Sequence, residues 1–292
     1  MYTIKRHIED VIIRRGLSNK SLLLTGAWQV GKSTLYKHIF KDVPQVTFGD
    51  DLLLLQATED SGLFFINNPP PLVIDEIQKC PSIFNKIKII LDSSEKCGMF
   101  FLTGSQKFQL MENISDSLAG RISITQLEGL SQRELHNVDF KKPFVPSEDY
   151  LVERGNHLTN YEENIWEKIH KGSFPALHAN PNLEWSDFYQ SYVKTYIERD
   201  VNKLVKVKNS LSFVKFMTAI AARTGQIINY TNIASDVGVS EVTIKEWISI
   251  LERSDLIYIL KPFSQNALNR CIKSPKLYFK DTGLCSYLLG WL

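Results

Sequence analysis

Apolar residues in this chain fall into short runs recurring about every 25 residues, with helix-like stretches between them. The runs Leu22–Thr25, Gln45–Phe48, Leu72–Asp75, Phe100–Thr103 and Ile122–Leu127 have strand length. Their regular alternation with longer stretches predicts a parallel sheet, because parallel neighbours need a crossover connection of that length. Ahead of them, Ile4, Ile8, Val11 and Ile12 recur at helical spacing, which predicts a helix over Ile4–Arg15 packed on the sheet. From His136 to Asn164 the pattern weakens into polar residues with Pro143 and Pro146, as in a connecting loop or a partly ordered insertion. Periodicity returns over Leu183–Val205, where Trp185, Phe188/Tyr189, Tyr192/Val193, Tyr196/Ile197, Val201 and Leu204/Val205 trace one apolar stripe. Helical spacing favours core packing over base stacking for these aromatics. Within 231–254, Ile233, Ala234, Val237, Gly238, Val239, Ile244 and Trp247 fall where a helix–turn–helix needs them. Ala234 is small where the helices would touch, and Gly238 supplies the positive φ of the turn. Leu256–Leu260 and Lys276–Phe279 would then be wing strands. The expected organisation is an α/β domain over 1–135, a linker and helical segment over 136–209, and a winged-helix-like domain over 210–292.

Candidate chemistry starts at the end of the first strand. Residues 26–33 read Gly-Ala-Trp-Gln-Val-Gly-Lys-Ser and are followed by Thr34. Placed between a strand and a helix, this is the pattern of a phosphate-binding loop. Gly26 and Gly31 let the backbone curl so that successive N–H groups of Ala27, Trp28, Gln29 and Val30 face one phosphate chain. Lys32 adds a mobile positive charge, the Ser33 hydroxyl can ligate Mg²⁺, and the helix behind them contributes partial positive charge at its N-terminus. The strand at 72–75 ends in Asp75-Glu76, at the edge where open α/β sheets bind ligands. Asp75 is the expected metal anchor and Glu76 the group that polarises an attacking water. Thr103 and Ser105 end the next strand and are candidate γ-phosphate or water contacts, although Thr-Gly-Ser is also an ordinary turn. Arg121 stands at the mouth of the fifth strand, as a phosphate-directed guanidinium or as a structural salt bridge or loop clamp. Arg199 has a similar pair of readings, a lid arginine or one half of an ion pair with its neighbours.

The ordered set GAWQVGKST, LVIDEIQKCP, FFLTGSQKF, SLAGRI and QLEGLSQREL resembles a large prokaryotic family of AAA+-type ATPases with a C-terminal domain of unknown function. GSFPAL at 172–177, YVKTYIERDV at 192–201, AARTGQIIN at 221–229 and SPKLYFKDTGL at 274–284 extend the resemblance over nearly the whole chain. It implies an additional-strand, AAA+-like P-loop NTPase sheet, then a helical segment and a winged-helix-like unit, with ATP and Mg²⁺ as ligands. The preference for adenine over guanine rests on the resemblance alone. Ala27-Trp28 stands where members often have Pro-Arg, at variable positions of the loop. Members usually continue past Asp-Thr-Gly-Leu into a nuclease-like domain, so a sequence ending at Leu292 is expected to be a shortened member or a fragment.

Composition narrows the partners. A hydrophobic content of 43% in 292 residues is enough for one large core or two to three small ones. The net charge of +2 creates no global field pointing to nucleic acid or membrane. No run of 18 apolar residues occurs, and Met1–Arg15 is charged rather than signal-like. Cys80, Cys97, Cys271 and Cys285 lack zinc spacing and read as reduced thiols of a cytoplasmic protein. The second helix of the helix–turn–helix, Ser240–Ser254, sets Glu241, Glu246 and Glu252 against Lys245 and Arg253. Phosphate attraction dominates duplex affinity, and this helix supplies little. Lys203, Lys206, Lys208 and Lys215 form a modest basic run nearby. The expected function is a Mg²⁺-dependent ATPase coupled to movement of the helical and winged-helix module. The rivals are a nucleotide-gated DNA-binding regulator and a nucleotide-binding scaffold with little intrinsic turnover. A homo-oligomer or a protein client are the further expected partners.

Overall fold

The computed structural model describes residues 4–105, 118–157, 164–195, 210–263 and 274–291. Arg199 and Asp200, the basic run Lys203, Lys206 and Lys208, the C-terminal half of the expected 183–205 helix, and Cys271 lie outside the described residues. The chain divides into two compact units, Met1–Thr159 and Asn160–Leu292.

In the first unit, five strands, β1 (Ser21–Thr25), β2 (Gln45–Thr47), β3 (Leu72–Asp75), β4 (Phe100–Thr103) and β5 (Ile122–Gln126), form one sheet in the order β2-β3-β4-β1-β5. Every pairing is parallel. β1 and β4 are buried at every position, which explains why their sequences are continuous apolar runs instead of alternating ones. α1 (Glu9–Ser18) precedes β1, and α2 (Lys32–Ile39), α3 (Asp51–Glu59), α4 (Ser61–Asn67) and α5 (Ile83–Asp92) lie in the connections between β1, β2, β3 and β4. One apolar core joins Leu23, Ile74 and Leu102 of the sheet to Phe64, Phe84, Ile87 and Leu91 of the helices. Each such side chain contributes about 1.5–3 kcal/mol when fully buried.

Two differences from the sequence pattern have local causes. α1 begins at Glu9, not near Ile4, because residues 6 and 7 are committed elsewhere: the Arg6 N–H donates to Glu9 Oε1 at 2.7 Å and the His7 N–H to Glu134 Oε1 at 2.8 Å. Residues 136–157, expected as a connecting loop or partly ordered insertion beyond a first domain ending near 135, belong to the first unit. There α6 (Gln132–Leu135) and α7 (Glu148–Gly155) flank a small core of Val138, Phe140 and Tyr150.

The second unit contains α8 (Ile165–Lys171), α9 (Pro175–Ala179), α10 (Trp185–Tyr192), α11 (Ser210–Ala221), α12 (Tyr230–Val237), α13 (Glu241–Arg253), an antiparallel ribbon of β6 (Ile257–Leu260) and β7 (Lys276–Phe279), and α14 (Thr282–Leu288). Gly238 follows α12 in the left-handed region at φ 80°, and Ser240 caps α13 through Thr243 N. Ile233, Ala234, Val237, Ile244 and Trp247 are buried, with Phe213 and Phe216 of α11 set edge-on to Trp247. The far edge of β7 is met by residues 225–228: Gly225 N donates to Leu277 O at 2.6 Å and Ile228 N to Pro275 O at 2.9 Å. A buried carboxylate, Asp281, ties this unit together. It accepts from Ser173 N (2.6 Å), Ser173 Oγ (2.8 Å), Tyr189 Oη (2.6 Å) and Leu284 N (2.6 Å), linking the Gly172-Ser173 turn, α10 and the start of α14. Burial first, and then the Asp281 charge, push the Tyr189 hydroxyl far above the usual tyrosine value, so it remains a donor.

Candidate functional site: a phosphate loop facing an acidic strand

The loop at 26–31 leaves β1 at the carboxyl edge of the sheet. Gly26 has φ 147°, and a Cβ there would meet Leu127 O at 2.2 Å, so the turn out of β1 requires glycine. Gln29 and Gly31 also have positive φ, at 63° and 97°. Gly31 caps α2 without a side-chain hydrogen bond. Val30 and Ala27 are buried, Trp28 is half-buried, and Gln29 and Thr34 are exposed. Lys32 is 6% exposed, with its Nζ donating to Gly26 O at 3.0 Å and Ala27 O at 2.8 Å. Its ammonium therefore rests against the first two residues of the loop.

β4 lies between β1 and β3, so its tip sits between the loop and the acidic residues. Ser33 Oγ is 2.9 Å from both oxygens of Asp75, and Thr103 Oγ1 donates to Asp75 Oδ1. These hard oxygen donors suit Mg²⁺. Glu76 follows in the left-handed region at φ 58°, at the head of a 3₁₀ turn, Ile77–Lys79. Its Oε2 accepts from Gln78 Nε2, and Gln78 Nε2 also lies 3.5 Å from Ser105 Oγ. Thr103 and Ser105 are both buried. Gly26, Ala27, Trp28, Gln29, Val30, Gly31, Lys32, Ser33, Thr34, Asp75, Glu76, Thr103 and Ser105 thus share one edge of the sheet.

Arg121 does not join them. It precedes β5, whose first residue pairs with Ser21, and Ser21 Oγ donates to Arg121 O at 2.9 Å. In a parallel sheet that is the amino edge, roughly 15 Å along the strands from the loop. Its guanidinium pairs with Asp92 at the end of α5. The phosphate-directed role is corrected to the salt-bridge reading, because the residue before a parallel strand cannot stand at the edge where the strands end.

Sequence reasoning missed Arg6. This buried guanidinium donates to Val30 O (3.1 Å), Glu128 O (2.6 Å), Gly129 O (3.2 Å) and Glu134 Oε1 (3.1 Å). It pins the phosphate loop to the segment after β5. Glu134 also closes the capping box of α6 with Ser131. Burial pushes the Glu134 carboxyl up, but the Arg6 charge and the N–H groups of Ser131 and His7 outweigh it and hold the group below its usual value. The S-x-x-E signature at 131–134 was the available signal; nothing local pointed to Arg6.

Residues 18–136 match the family model of an AAA domain, and 162–292 that of a domain of unknown function. Residues 18–136 form an AAA-type P-loop domain. Across the whole chain, the Walker-type ATPase PABY2304 of Pyrococcus abyssi superimposes with a TM-score of 0.58 at 14% identity, covering 98% of this chain and 96% of that one. At that identity the likeness concerns the fold. Uncharacterized protein Rv2008c of Mycobacterium tuberculosis is 26% identical over 299 residues, covering 98% of this chain and 60% of its own length. Uncharacterized protein MJ1544 of Methanocaldococcus jannaschii is 26% identical over 308 residues, covering 99% and 65%. The chain spans about three fifths of the length of these curated relatives. The AAA domain carries the loop, the acidic strand and the polar β4 tip; the second matched segment carries the Asp281 hub. Among the described residues, no helix is long and apolar enough to cross a membrane.

Proposed function

We propose that the chain is a Mg²⁺-dependent ATPase whose nucleotide state moves the helical and winged-helix-like module of the second unit. The observation that carries this reading is the convergence of Ser33, Asp75 and Thr103 beside a glycine-bent loop with a buried lysine. The loop amides and Lys32 would bind and orient the phosphate chain, with Lys32 exchanging the Gly26 and Ala27 carbonyls for phosphate oxygens. Ser33 and Asp75 would hold Mg²⁺, which when bound screens the charge developing on the phosphates. Glu76 would orient the attacking water and take its proton. Thr103 and Ser105, at the β4 tip, would sense the γ-phosphate or the attacking water. Adenine as the base is supported by the AAA match.

Binding of ATP, ADP and GTP with and without Mg²⁺ tests the pocket. Mg²⁺ should tighten ATP binding, and Lys32→Ala should abolish it. Glu76→Gln should still bind ATP while phosphate release falls on the order of a hundredfold or more. Equal release from both proteins would remove Glu76 from the mechanism.

Direct duplex reading by α13 has less support. Lys245 is paired with Glu241 at 2.6 Å, and Glu241 also accepts from Thr231, so this lysine's charge is largely answered within the unit. A protein contact or gating role for the helix–turn–helix suits that surface better. Turnover that rises with protein concentration would favour self-assembly, whereas flat, negligible turnover would point to a partner protein that supplies an activating arginine.

A further inference from the structure

Gln78 lies within the LVIDEIQKCP stretch but has been given no role, yet it is bonded to the candidate base. It is 8% exposed, sits two residues after Glu76, and its Nε2 donates to Glu76 Oε2 while lying 3.5 Å from Ser105 Oγ. An amide nitrogen has two hydrogens and no acceptor lone pair, so only this orientation satisfies a carboxylate neighbour. The opposite orientation would set oxygen against oxygen. The consequence is visible on the other side of the amide: Gln78 Oε1 is buried with no hydrogen-bond partner among the described residues. A buried, unanswered acceptor is a destabilising choice, and a residue there for packing alone would serve better as an apolar side chain.

The two hydrogen-bond chains start from the same strand tip. From β4, Thr103 reaches Asp75 and through it Ser33; Ser105 lies against Gln78 and through it Glu76. Glu76 itself is in the left-handed backbone region, which few non-glycine residues adopt. We infer that Gln78 is a positioning residue for Glu76, holding one carboxylate oxygen so that the other faces the reacting water, and registering the base to the β4 tip through Ser105. This rests on the ATPase reading for its kinetic consequence, but the hydrogen bond can be tested without turnover.

Gln78→Met keeps the length and volume of the side chain and removes both donors together with the orphaned acceptor. In the full chain the expected result is an unchanged or higher unfolding midpoint, an ATP Kd within about twofold of wild type, and a kcat lower by about tenfold. A packing residue would show the reverse, lost stability with kcat retained. Ser105→Ala should lower kcat by a smaller factor, about two- to fivefold, and add little to Gln78→Met, because both act through one amide. The second readout is the Gln78 side-chain amide in ¹⁵N–¹H spectra of the protein without nucleotide. Its signals should move in Glu76→Ala and, less, in Ser105→Ala. A kcat for Gln78→Met within twofold of a wild type that turns over ATP would overturn the inference. Should wild type bind ATP without releasing phosphate, the ATPase reading fails, and the spectra alone decide: amide signals indifferent to Glu76→Ala overturn the positioning role as well.

Discussion

Replacing Arg6 with methionine tests whether the phosphate loop is held from outside itself. The substitution keeps an unbranched side chain of similar length and removes a charge and four hydrogen bonds, three of them to the backbone carbonyls of Val30, Glu128 and Gly129. Its partner Glu134 is 9% exposed and would be left buried. Breaking a buried ion pair on one side costs about 3–5 kcal/mol. Glu134 keeps the Ser131 N–H at 2.8 Å, the Ser131 hydroxyl at 3.0 Å and the His7 N–H at 2.8 Å, which places the cost near the lower end, about 3 kcal/mol. For a unit of this size that is a midpoint lowered by roughly 6–12 °C. Calorimetry on the full chain should show only the first unit's transition moving, and ATP affinity should fall because the Val30 carbonyl is released. The double substitution Arg6→Met/Glu134→Gln should lose less than the sum of the singles. The pH dependence has a definite sign. The Glu134 carboxyl lies below its ordinary value of 4.5 when folded, so its stabilisation is complete above that value and disappears as pH falls through the lowered one. The gap between wild type and Arg6→Met should close in the same acid window. A midpoint within about 2 °C of wild type at neutral pH, with unaltered ATP affinity, would refute the clamp.

Arg121→Ala should leave phosphate release within about twofold of wild type and change stability little, since its Asp92 pair is solvent-accessible and screened; a collapse of turnover in dilute, monomeric protein would contradict its placement. Gly172→Ala should destabilise the second unit by several kcal/mol, because φ is 77° and the added Cβ would meet Tyr189 Oη at 2.4 Å and Asp281 at 2.8 Å; chemical denaturation reads this directly. Trp247→Ala should cost about 3–5 kcal/mol in the same assay, as its ring fills the contact between α11 and α13. The Cys285 thiol is pushed up to about 11 by burial and by Asp281, so peptide mapping after alkylation at pH 8 should find exposed Cys97 modified and Cys285 spared, with Cys285 gaining reactivity only as pH rises toward that value.

The five strands, and the gathering of the candidate loop and acidic residues at one sheet edge, were legible because each signal is local. A parallel strand buried on both faces must be a run such as Ser21-Leu22-Leu23-Leu24, and a loop that points amides at phosphate must bend at Gly26 and Gly31. Asp75 and Glu76 follow from the strand before them, because a chain leaving a parallel strand emerges at the ligand edge. The turn at Gly238 was equally readable, since only the left-handed region connects two helices so closely there.

What the chain's order alone left open was everything that depends on which strand lies beside which. Thr103 meets Asp75 because β4 inserts between β1 and β3, and no periodicity states that order. Arg121 looked chemically apt, but β5 runs parallel to β1, which carries the residue before it to the opposite edge and into a pair with Asp92. Arg6 and Glu134 are 128 residues apart in sequence, and Asp281 and Ser173 108 apart. Such pairs are selected by burial: a charge taken out of water must find its partners wherever the fold brings them, and only the folded chain brings them within hydrogen-bonding distance.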